Sequence, residues 1–436
     1  MNMNKIMAKL QRFGKIRQLH TIISQQTIKP ATPTPSHLKT YNLSLTDKIA
    51  PNVSTDFVFF FPKYINNVNT NVLKQSLSQS LARYYPLAGR FPSPSASYVD
   101  CNDEGIDFVE VSTDSRLNDF IQTKYQHETL HHLFPKGLGL NDGKTNPSLL
   151  QVQLNHFLDG GVAVAVSMSH KIADALTTTC FVNHWATVAR GESPINPTFI
   201  YSPPSNSIEV ADEVVLPENT SEVIYKTRTF TFPNSKLNEL KKNVSAMGNT
   251  PINPSRFEVL ASLIFKCAVG ASTNKSYESS LLYQPFNVRG IIAGKYPETT
   301  AGNVITCALT KMKNSGQIQL NDMVNELRKR KMEVEGLRDV KDAAQFWRNT
   351  LSTLADNQGC VYAISSTSRF PMYNVNFGWG KPLKVTMSIP DIDQGSFVLW
   401  DTPSGDGIDA TARLREDEMA IFENDKEILA YVQEDV

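Results

Sequence analysis

Residues 160–174 read Gly-Gly-Val-Ala-Val-Ala-Val-Ser-Met-Ser-His-Lys-Ile-Ala-Asp, a spacing that indicates a strand followed by a turn. Large apolar side chains alternate with small ones from Val162 to Met168, as in a buried β-strand with one bulky and one close-packed face. The apolar residues that follow have helical spacing, and Asp174 is a favourable N-cap for that helix. His170 and Asp174 therefore bracket a strand-to-helix turn, near the sheet edge where α/β folds bind ligands.

A histidine at such a turn can act as a general base, because its ordinary pKa near ~6.5 lets it take up and return a proton at neutral pH. Other chemistries have little support. The sequence has no Gly-x-Ser-x-Gly elbow, no glycine-rich phosphate loop and no convergent set of metal ligands. The His-x-x-x-Asp pattern alone is weak, and a histidine simply packed at a strand end is the alternative.

Composition narrows the class of protein. The 436 residues carry 43 basic and 43 acidic side chains, so the chain lacks the basic surplus that duplex nucleic acid requires. A hydrophobic content of 41% is sufficient for a large core. No apolar run reaches the length of a membrane span. The five cysteines are widely spaced and include no Cys-x-x-Cys pair, which favours a reducing, cytoplasmic location.

The N-terminal residues 1–22 form a basic extension, since the first acidic residue is Asp47. Ile6, Leu10 and Phe13 have helical spacing, so an organelle-targeting segment or a membrane-surface contact is one interpretation. A loose, solvated terminus is the preferred one.

Proline-rich, polar residues divide the chain once, at 194–222, where we expect a crossover linker. Strand and helix patterns interleave on both sides of it, which predicts an α/β domain over residues 23–193 and another over residues 223–436. The spacing predicts strands and helices at the following positions: strands over 57–61 and 224–232, and helices over 72–85, 257–269, 320–337 and 416–432, with a further helix capped by Asn234 or Ser235 and ending at Gly248.

A second segment carries more information. Residues 369–382 read Arg-Phe-Pro-Met-Tyr-Asn-Val-Asn-Phe-Gly-Trp-Gly-Lys-Pro, which closely resembles the Asp-Phe-Gly-Trp-Gly signature of the plant BAHD acyltransferases. Members of that family carry His-x-x-x-Asp about two hundred residues earlier, as this sequence does. Further segments resemble family landmarks in the same order: 28–35, 84–90, 99–105, 254–259, 287–289, 302–303 and 401–418.

The resemblance implies an α/β fold of two similar chloramphenicol-acetyltransferase-like domains, each a mixed sheet flanked by helices, with the active site in a channel between them. Acyl-CoA would enter from one side as a co-substrate and the acceptor from the other, with no permanently bound cofactor and no metal. His170 would be the catalytic base. Asp174 would support the turn through an ion pair with Arg289. Phe377, Gly378, Trp379 and Gly380 would be mainly architectural, and Arg369 would lie on the acceptor side.

The sequence departs from the family signature at Asn376, which replaces its leading aspartate. Loss of that carboxylate removes any ion pair but keeps a hydrogen-bond acceptor; if the partner is a buried arginine, its charge is left poorly compensated, at a cost of ~3–5 kcal/mol. The expected effect is reduced stability or looser geometry rather than lost chemistry, because Asn376 is not the base.

The sequence thus predicts a monomeric enzyme that transfers an acyl group, acetyl first among the candidates, from acyl-CoA to a hydroxyl of a plant specialised metabolite such as an alkaloid or terpenoid. N-acylation of an amine, a non-acylating reaction and a non-catalytic binding role remain alternatives. Acceptor identity, regiochemistry and acyl length depend on pocket shape, which the sequence does not specify.

Overall fold

The structure is a computed structural model that describes residues 20–63, 68–122, 130–135, 147–200, 223–247, 252–272, 277–292, 296–313, 318–356, 359–389 and 395–433. The helix suggested by Ile6, Leu10 and Phe13 lies outside these residues, as does most of the expected linker at 194–222. The two-domain boundaries at that linker therefore stay a prediction. Within the described part of the chain, no helix has both the length and the apolar character needed to cross a membrane.

Strands and helices interleave along the whole described chain. The strands are β1 (His20–Ile28), β2 (Thr40–Asn42), β3 (Ser54–Phe61), β4 (Tyr98–Asp100), β5 (Ile106–Thr113), β6 (Leu150–His156), β7 (Val162–Ser169), β8 (Thr198–Phe199), β9 (Tyr225–Pro233), β10 (Ser279–Asn287), β11 (Thr300–Ala301), β12 (Ile305–Lys313), β13 (Cys360–Ser366), β14 (Lys384–Ser388), β15 (Gly395–Asp401) and β16 (Gly407–Arg415). The helices are α1 (Leu45–Ile49), α2 (Thr70–Leu81), α3 (Leu117–Gln122), α4 (Ala175–Ala189), α5 (Asn234–Ser245), α6 (Arg256–Ala271), α7 (Leu320–Glu335), α8 (Val340–Ala355), α9 (Glu416–Phe422) and α10 (Lys426–Leu429).

The first large sheet is mixed and has the strand order β1-β5-β6-β7-β3-β14. β7 lies inside it and is buried along its whole length, as its run of apolar and small residues predicts. Helices α2 and α4 cover one face, and their apolar sides pack with β3 and β7 into the main core of this half. A smaller cluster around Phe60 and Phe157 covers the opposite face. The end of β7 is thus held rigidly between two packed layers.

The second large sheet has the order β12-β10-β13-β15-β16-β9, with parallel pairing from β10 through β13 to β15. Helices α5, α6, α7 and α9 pack on it around Phe265, Tyr362 and Phe397. Two mixed sheets with flanking helices are the architecture that the sequence predicted.

The segment around the second signature crosses between the halves. β14 pairs antiparallel with β3, so a strand from the C-terminal part of the chain completes the first sheet. Met372, Val375, Phe377 and Trp379 belong to the same core as Phe61. We expected the signature to belong to the domain over residues 223–436, but its side chains pack in the core of the N-terminal half. The short parallel pair β8–β11 makes a second crossing.

Three local predictions need correction. Residues 416–432 form two helices rather than one, because Asp425 accepts hydrogen bonds from the backbone of Glu427 and Ile428 and starts a new helix. Neither Asn234 nor Ser235 caps α5, since both lie inside it and the N-cap is Pro233. At the N-terminus, β1 begins at His20, inside the segment expected to be an extension.

Candidate active site

The predicted strand-to-helix turn is present. β7 ends at Ser169, His170 follows, and α4 begins at Ala175 with Asp174 as its N-cap. The Asp174 carboxylate accepts a hydrogen bond from the Thr177 backbone at 2.8 Å, as a capping residue should. The His170 backbone N–H donates to the carbonyl of Val53 at 2.9 Å. The imidazole is therefore carried by a turn that is fixed at both ends.

Asp174 forms a buried, bidentate ion pair with Arg289, which is 1% exposed. Its oxygens lie 2.7 and 3.1 Å from the two terminal guanidinium nitrogens. Burial alone would raise the pKa of Asp174, but the charge and hydrogen bonds of Arg289 outweigh it and hold that pKa below its usual value. Arg289 also donates to the carbonyls of Thr300 and Gly302. The ion pair expected from the family resemblance thus joins the turn to the second half of the chain.

A second link to the turn was not predicted. The Asn303 side-chain amide donates to the carbonyl of His170 at 2.7 Å and to the carboxylate of Asp47 at 2.9 Å. The Asn303 backbone N–H donates to the same Asp47 oxygen at 2.7 Å. Asp47 is fully buried and also closes a capping box with Ser44 at the start of α1. The Ser-x-x-Asp pattern of that box was a readable signal, but its partner is 256 residues away in sequence.

The His170 side chain is half-buried and lines a cavity. Burial lowers the pKa of His170 below its usual value, and the opposing effects of Asp174 and Asn303 are smaller. The ring is therefore neutral at physiological pH, the form that can accept a proton. Both Asp174 oxygens are already occupied by Arg289, Thr177 and Val304, which leaves Asp174 a supporting residue rather than a relay partner.

The cavity that contains His170 has a volume of about 260 Å³ and is lined by both halves of the chain. The first half contributes Val53, Thr55 and Leu176 beside His170, and the second contributes residues of β10, β12, β13, β15 and α8. Most of the wall is apolar. The cavity lies between the two halves, where the family resemblance leads us to expect the active site.

A second cavity of about 980 Å³ lies against the opposite face of β10. Gln284 and Phe286 face it, whereas Tyr283 and Pro285 face the His170 cavity, as alternation along a strand requires. Ser366, at the end of β13, lines both. The wall of the second cavity carries five basic and two acidic side chains: Lys241, Arg256, Arg328, Lys331, Arg369, Glu258 and Glu335.

Arg369 lies on this second cavity and does not line the one that holds His170. Its backbone has a positive φ of 71° and its N–H donates to Asp401 at 2.7 Å. Arg369 is therefore separated from the wall around His170, and its expected place on the acceptor side stays a prediction. Arg369 lies in the turn after β13, where strand alternation no longer applies, and its neighbours Thr367 and Phe370 line the His170 cavity instead.

The signature loop at 376–380 is held by its own hydrogen bonds. The side-chain oxygen of Asn376 accepts hydrogen bonds from the backbone N–H groups of Gly378 and Gly380, each at 2.9 Å. Both glycines have positive φ, which a side chain would oppose. The rings of Phe377 and Trp379 pack edge-on against Phe61. These residues stay out of the wall of the His170 cavity.

The expected uncompensated arginine at Asn376 is not found among the described residues. The arginine beside it is Arg190, which donates to the backbone carbonyl of Asn376 and forms an ion pair with Glu192. Asn376 keeps the acceptor that the loop requires, so the replacement of aspartate leaves no orphan charge at this contact.

Comparison with known proteins gives a consistent result. The transferase family model matches residues 20–429. A 17,18-epoxy-17-hydroxycur-19-ene N-malonyltransferase of Strychnos nux-vomica is 33% identical over 94% of this chain and 90% of its own. Deacetylvindoline O-acetyltransferase of Catharanthus roseus is 31% identical over 96% and 99%. The crystal structure of vinorine synthase aligns with a TM-score of 0.81 at 28% identity, covering 95% of this chain and 99% of that one. The chain therefore belongs to the transferase family of BAHD acyltransferases.

Proposed function

We propose that this protein transfers an acyl group from acyl-CoA to a hydroxyl group of a plant specialised metabolite, with His170 as the general base. The observation that carries the proposal is a neutral imidazole, fixed at a strand-to-helix turn, in a cavity lined by both halves of the chain. The family membership supports the acyl transfer.

The chemistry follows from that imidazole. His170 removes the proton of the acceptor hydroxyl, and the oxygen attacks the carbonyl carbon of the thioester. The tetrahedral intermediate collapses, the carbon–sulfur bond breaks, and His170 returns its proton to the thiolate of coenzyme A. General acid–base catalysis of this kind supplies ~10²–10⁴-fold in rate, and holding both substrates in one cavity supplies much of the rest. No covalent acyl-enzyme is required.

The second cavity suits the nucleotide end of the donor. Coenzyme A carries several phosphate charges, and the basic excess of this cavity can bind them. Because Ser366 lines both cavities, the thioester arm can pass from the basic cavity toward His170. Arg369 accordingly becomes a donor-side residue in this proposal. The acceptor then occupies the apolar side of the His170 cavity.

A hydroxyl acceptor is favoured over an amine. An alkyl amine is protonated at neutral pH and must lose both its charge and its hydration before it reaches His170. Among the described residues that line the cavity, none presents a free carboxylate to such a cation, since Asp174 is paired with Arg289. N-acylation is the second candidate, because the N-malonyltransferase relative carries that activity in its name.

The test uses the purified full chain with acetyl-CoA and a panel of metabolite alcohols and amines, following free thiol and product mass. We expect thiol release together with an ester product. His170→Ala should abolish both, whereas His37→Ala, at an exposed histidine outside the cavity, should leave them unchanged.

Thiol release that persists in His170→Ala would exclude this residue as the base. A product without the acyl group would indicate a non-acylating reaction, and binding of acyl-CoA without turnover would indicate a non-catalytic relative.

A further inference from the structure

We infer that the acceptor is an uncharged, largely apolar alcohol and that the transferred acyl group carries no charge. This inference rests on the proposed function and assigns the substrate class of the same site. It comes from the charges, the free hydrogen-bonding groups and the walls of the His170 cavity.

The charged side chains that line this cavity are few. Among its described lining residues they are His170, Asp174 and Arg289. Asp174 and Arg289 neutralise each other at 2.7 Å, and the burial of His170 favours its neutral form. A charged substrate would therefore meet no compensating group among these residues in a mainly apolar site, which is unfavourable.

The acyl group is subject to the same limit. A dicarboxylic acyl group, such as malonyl, brings a free carboxylate beside the thioester and needs a cation to receive it. The guanidinium that lines the cavity is that of Arg289, and its donors are committed to Asp174 and to the carbonyls of Thr300 and Gly302. An acetyl group or another uncharged acyl group places no such demand on the site.

The walls explain why the rest of the acceptor is apolar. The second half of the chain contributes large apolar side chains, with α8 and the strands beside it forming a continuous surface: Ile305, Trp347, Leu351, Leu354, Met387, Ile389, Phe397 and Val398. Each hydroxyl that a sugar-like acceptor buried against them would lose its hydration without a replacement partner.

Neutral polar side chains also line the cavity beside the apolar surface, among them Ser54, Asn287, Ser365 and Ser396. The Tyr283 hydroxyl accepts a hydrogen bond from the Trp347 indole at 2.8 Å and is thus occupied. Thr55, which lines the cavity and is 4% exposed, has a buried hydroxyl without a partner among the described residues. Thr55 can therefore orient one polar substituent, while the reacting hydroxyl faces His170. The cavity volume of about 260 Å³ accommodates on the order of twenty water-sized groups, which suits a compact polycyclic skeleton.

The experiment compares acceptors of one size with acetyl-CoA: a decalin-type alcohol, its ring-nitrogen analogue that is protonated at pH 7, and an analogue with four additional hydroxyls. We expect kcat/KM for the neutral alcohol to exceed that of either analogue at least tenfold. With the neutral alcohol, acetyl-CoA should exceed malonyl-CoA by a similar factor.

A carboxylate placed in the wall should reverse the preference. Leu351→Asp is expected to raise the ratio of cationic to neutral acceptor turnover about tenfold, and the uncharged Leu351→Asn serves as the matched control. Equal or better use of the cationic, polyhydroxylated or malonyl substrate by the unaltered chain would overturn the inference, as would an equal effect of both variants.

Calorimetric binding of the same acceptors, measured without any donor, separates this inference from the proposed function. If no acyl transfer occurs but the neutral alcohol binds at least tenfold more tightly than its charged analogue, the proposed function fails and the assignment of the cavity stands. Equal affinities would overturn the assignment whatever the turnover.

Discussion

The imidazole of His170 is useful to the reaction only in its neutral form, and its surroundings favour that form. Burial lowers its pKa by more than the nearby Asp174, which is paired with Arg289, raises it. Asn303 holds the carbonyl of His170 rather than its ring. The supporting groups thus fix the position of the imidazole ring and leave a ring nitrogen available to accept a proton from the substrate.

The pH dependence of kcat/KM should reflect this. Because burial lowers the folded-state pKa of His170, activity should be complete at pH 7 and should fall only as the pH drops well below ~6.5, where the ring gains a proton. The same sign holds for stability: the unfolded chain binds that proton more readily, so the contribution of this group is present above ~6.5 and is lost as the pH falls. A pH series of initial rates with saturating acetyl-CoA measures the acid limb. An acid limb centred above 6.5 would contradict the assignment.

Removal of the Asn303 amide should slow the chemistry more than it weakens binding. Asn303→Ala deletes the donor to the His170 carbonyl and one donor to the buried Asp47, so we expect kcat to fall roughly ten- to a hundredfold with KM for acetyl-CoA nearly unchanged. Stability should fall by ~1–3 kcal/mol, since buried acceptors lose a partner. Steady-state kinetics and urea unfolding measure the two effects separately. A change confined to stability would assign Asn303 a purely structural role.

Strands and helices differ in how far the sequence reveals them. β7 and α4 were predictable because alternation and an N-cap lie in adjacent residues. α8 was missed, although Asp339 caps it. The pairing of β14 with β3, and that of Asp47 with Asn303, join residues far apart in sequence. Such contacts depend on the assembled fold. The family resemblance identified the segments involved but not which residues pair. The direction of the Arg369 side chain depends on a positive φ, a backbone angle that residues other than glycine rarely adopt.

The signature loop permits a sharp test of Asn376. Asn376→Asp retains an acceptor for the Gly378 and Gly380 backbone and lies near Arg190, so we expect a change in unfolding free energy within ~1 kcal/mol and unchanged turnover. Asn376→Leu removes the acceptor of two backbone donors, of which Gly378 is exposed and Gly380 part-buried, and should destabilise the protein by about 0.5–1.5 kcal/mol. Urea denaturation compares the three proteins. A large gain in turnover for Asn376→Asp would show that the loop takes part in the chemistry.

Across the whole molecule, the two cavities divide the proposed reaction by charge. The basic cavity and the apolar cavity lie on opposite faces of β10, and Ser366 lines both. The ion pair of Asp174 with Arg289 and the bridge through Asn303 join the halves on either side of the reacting group. Because the two cavities are separate, we expect substitutions in one cavity to change the binding of one substrate without changing that of the other.

Lys241 offers a test of this division, because α5 also carries the partly exposed Lys236 as a control. Lys241→Gln should raise KM for acetyl-CoA roughly two- to fivefold, which corresponds to ~0.5–1 kcal/mol for a solvent-screened charge. Lys236, which does not line the cavity, should tolerate the same change. KM for acetyl-pantetheine, which lacks the nucleotide, should be unaffected by either substitution. An equal effect on the truncated donor would place the phosphates elsewhere.

The crossing of β14 also bears on how the polypeptide is synthesised. Its partner β3 is synthesised more than three hundred residues earlier. The edge of β3 that pairs with β14 therefore stays uncovered in the nascent chain until translation is nearly complete. A chain split in the polar stretch would yield two pieces, neither complete without the other. Completion of the first sheet is thereby tied to nearly full-length translation, and a product terminated before residue 289 would lack both the covering strand and the guanidinium that holds Asp174.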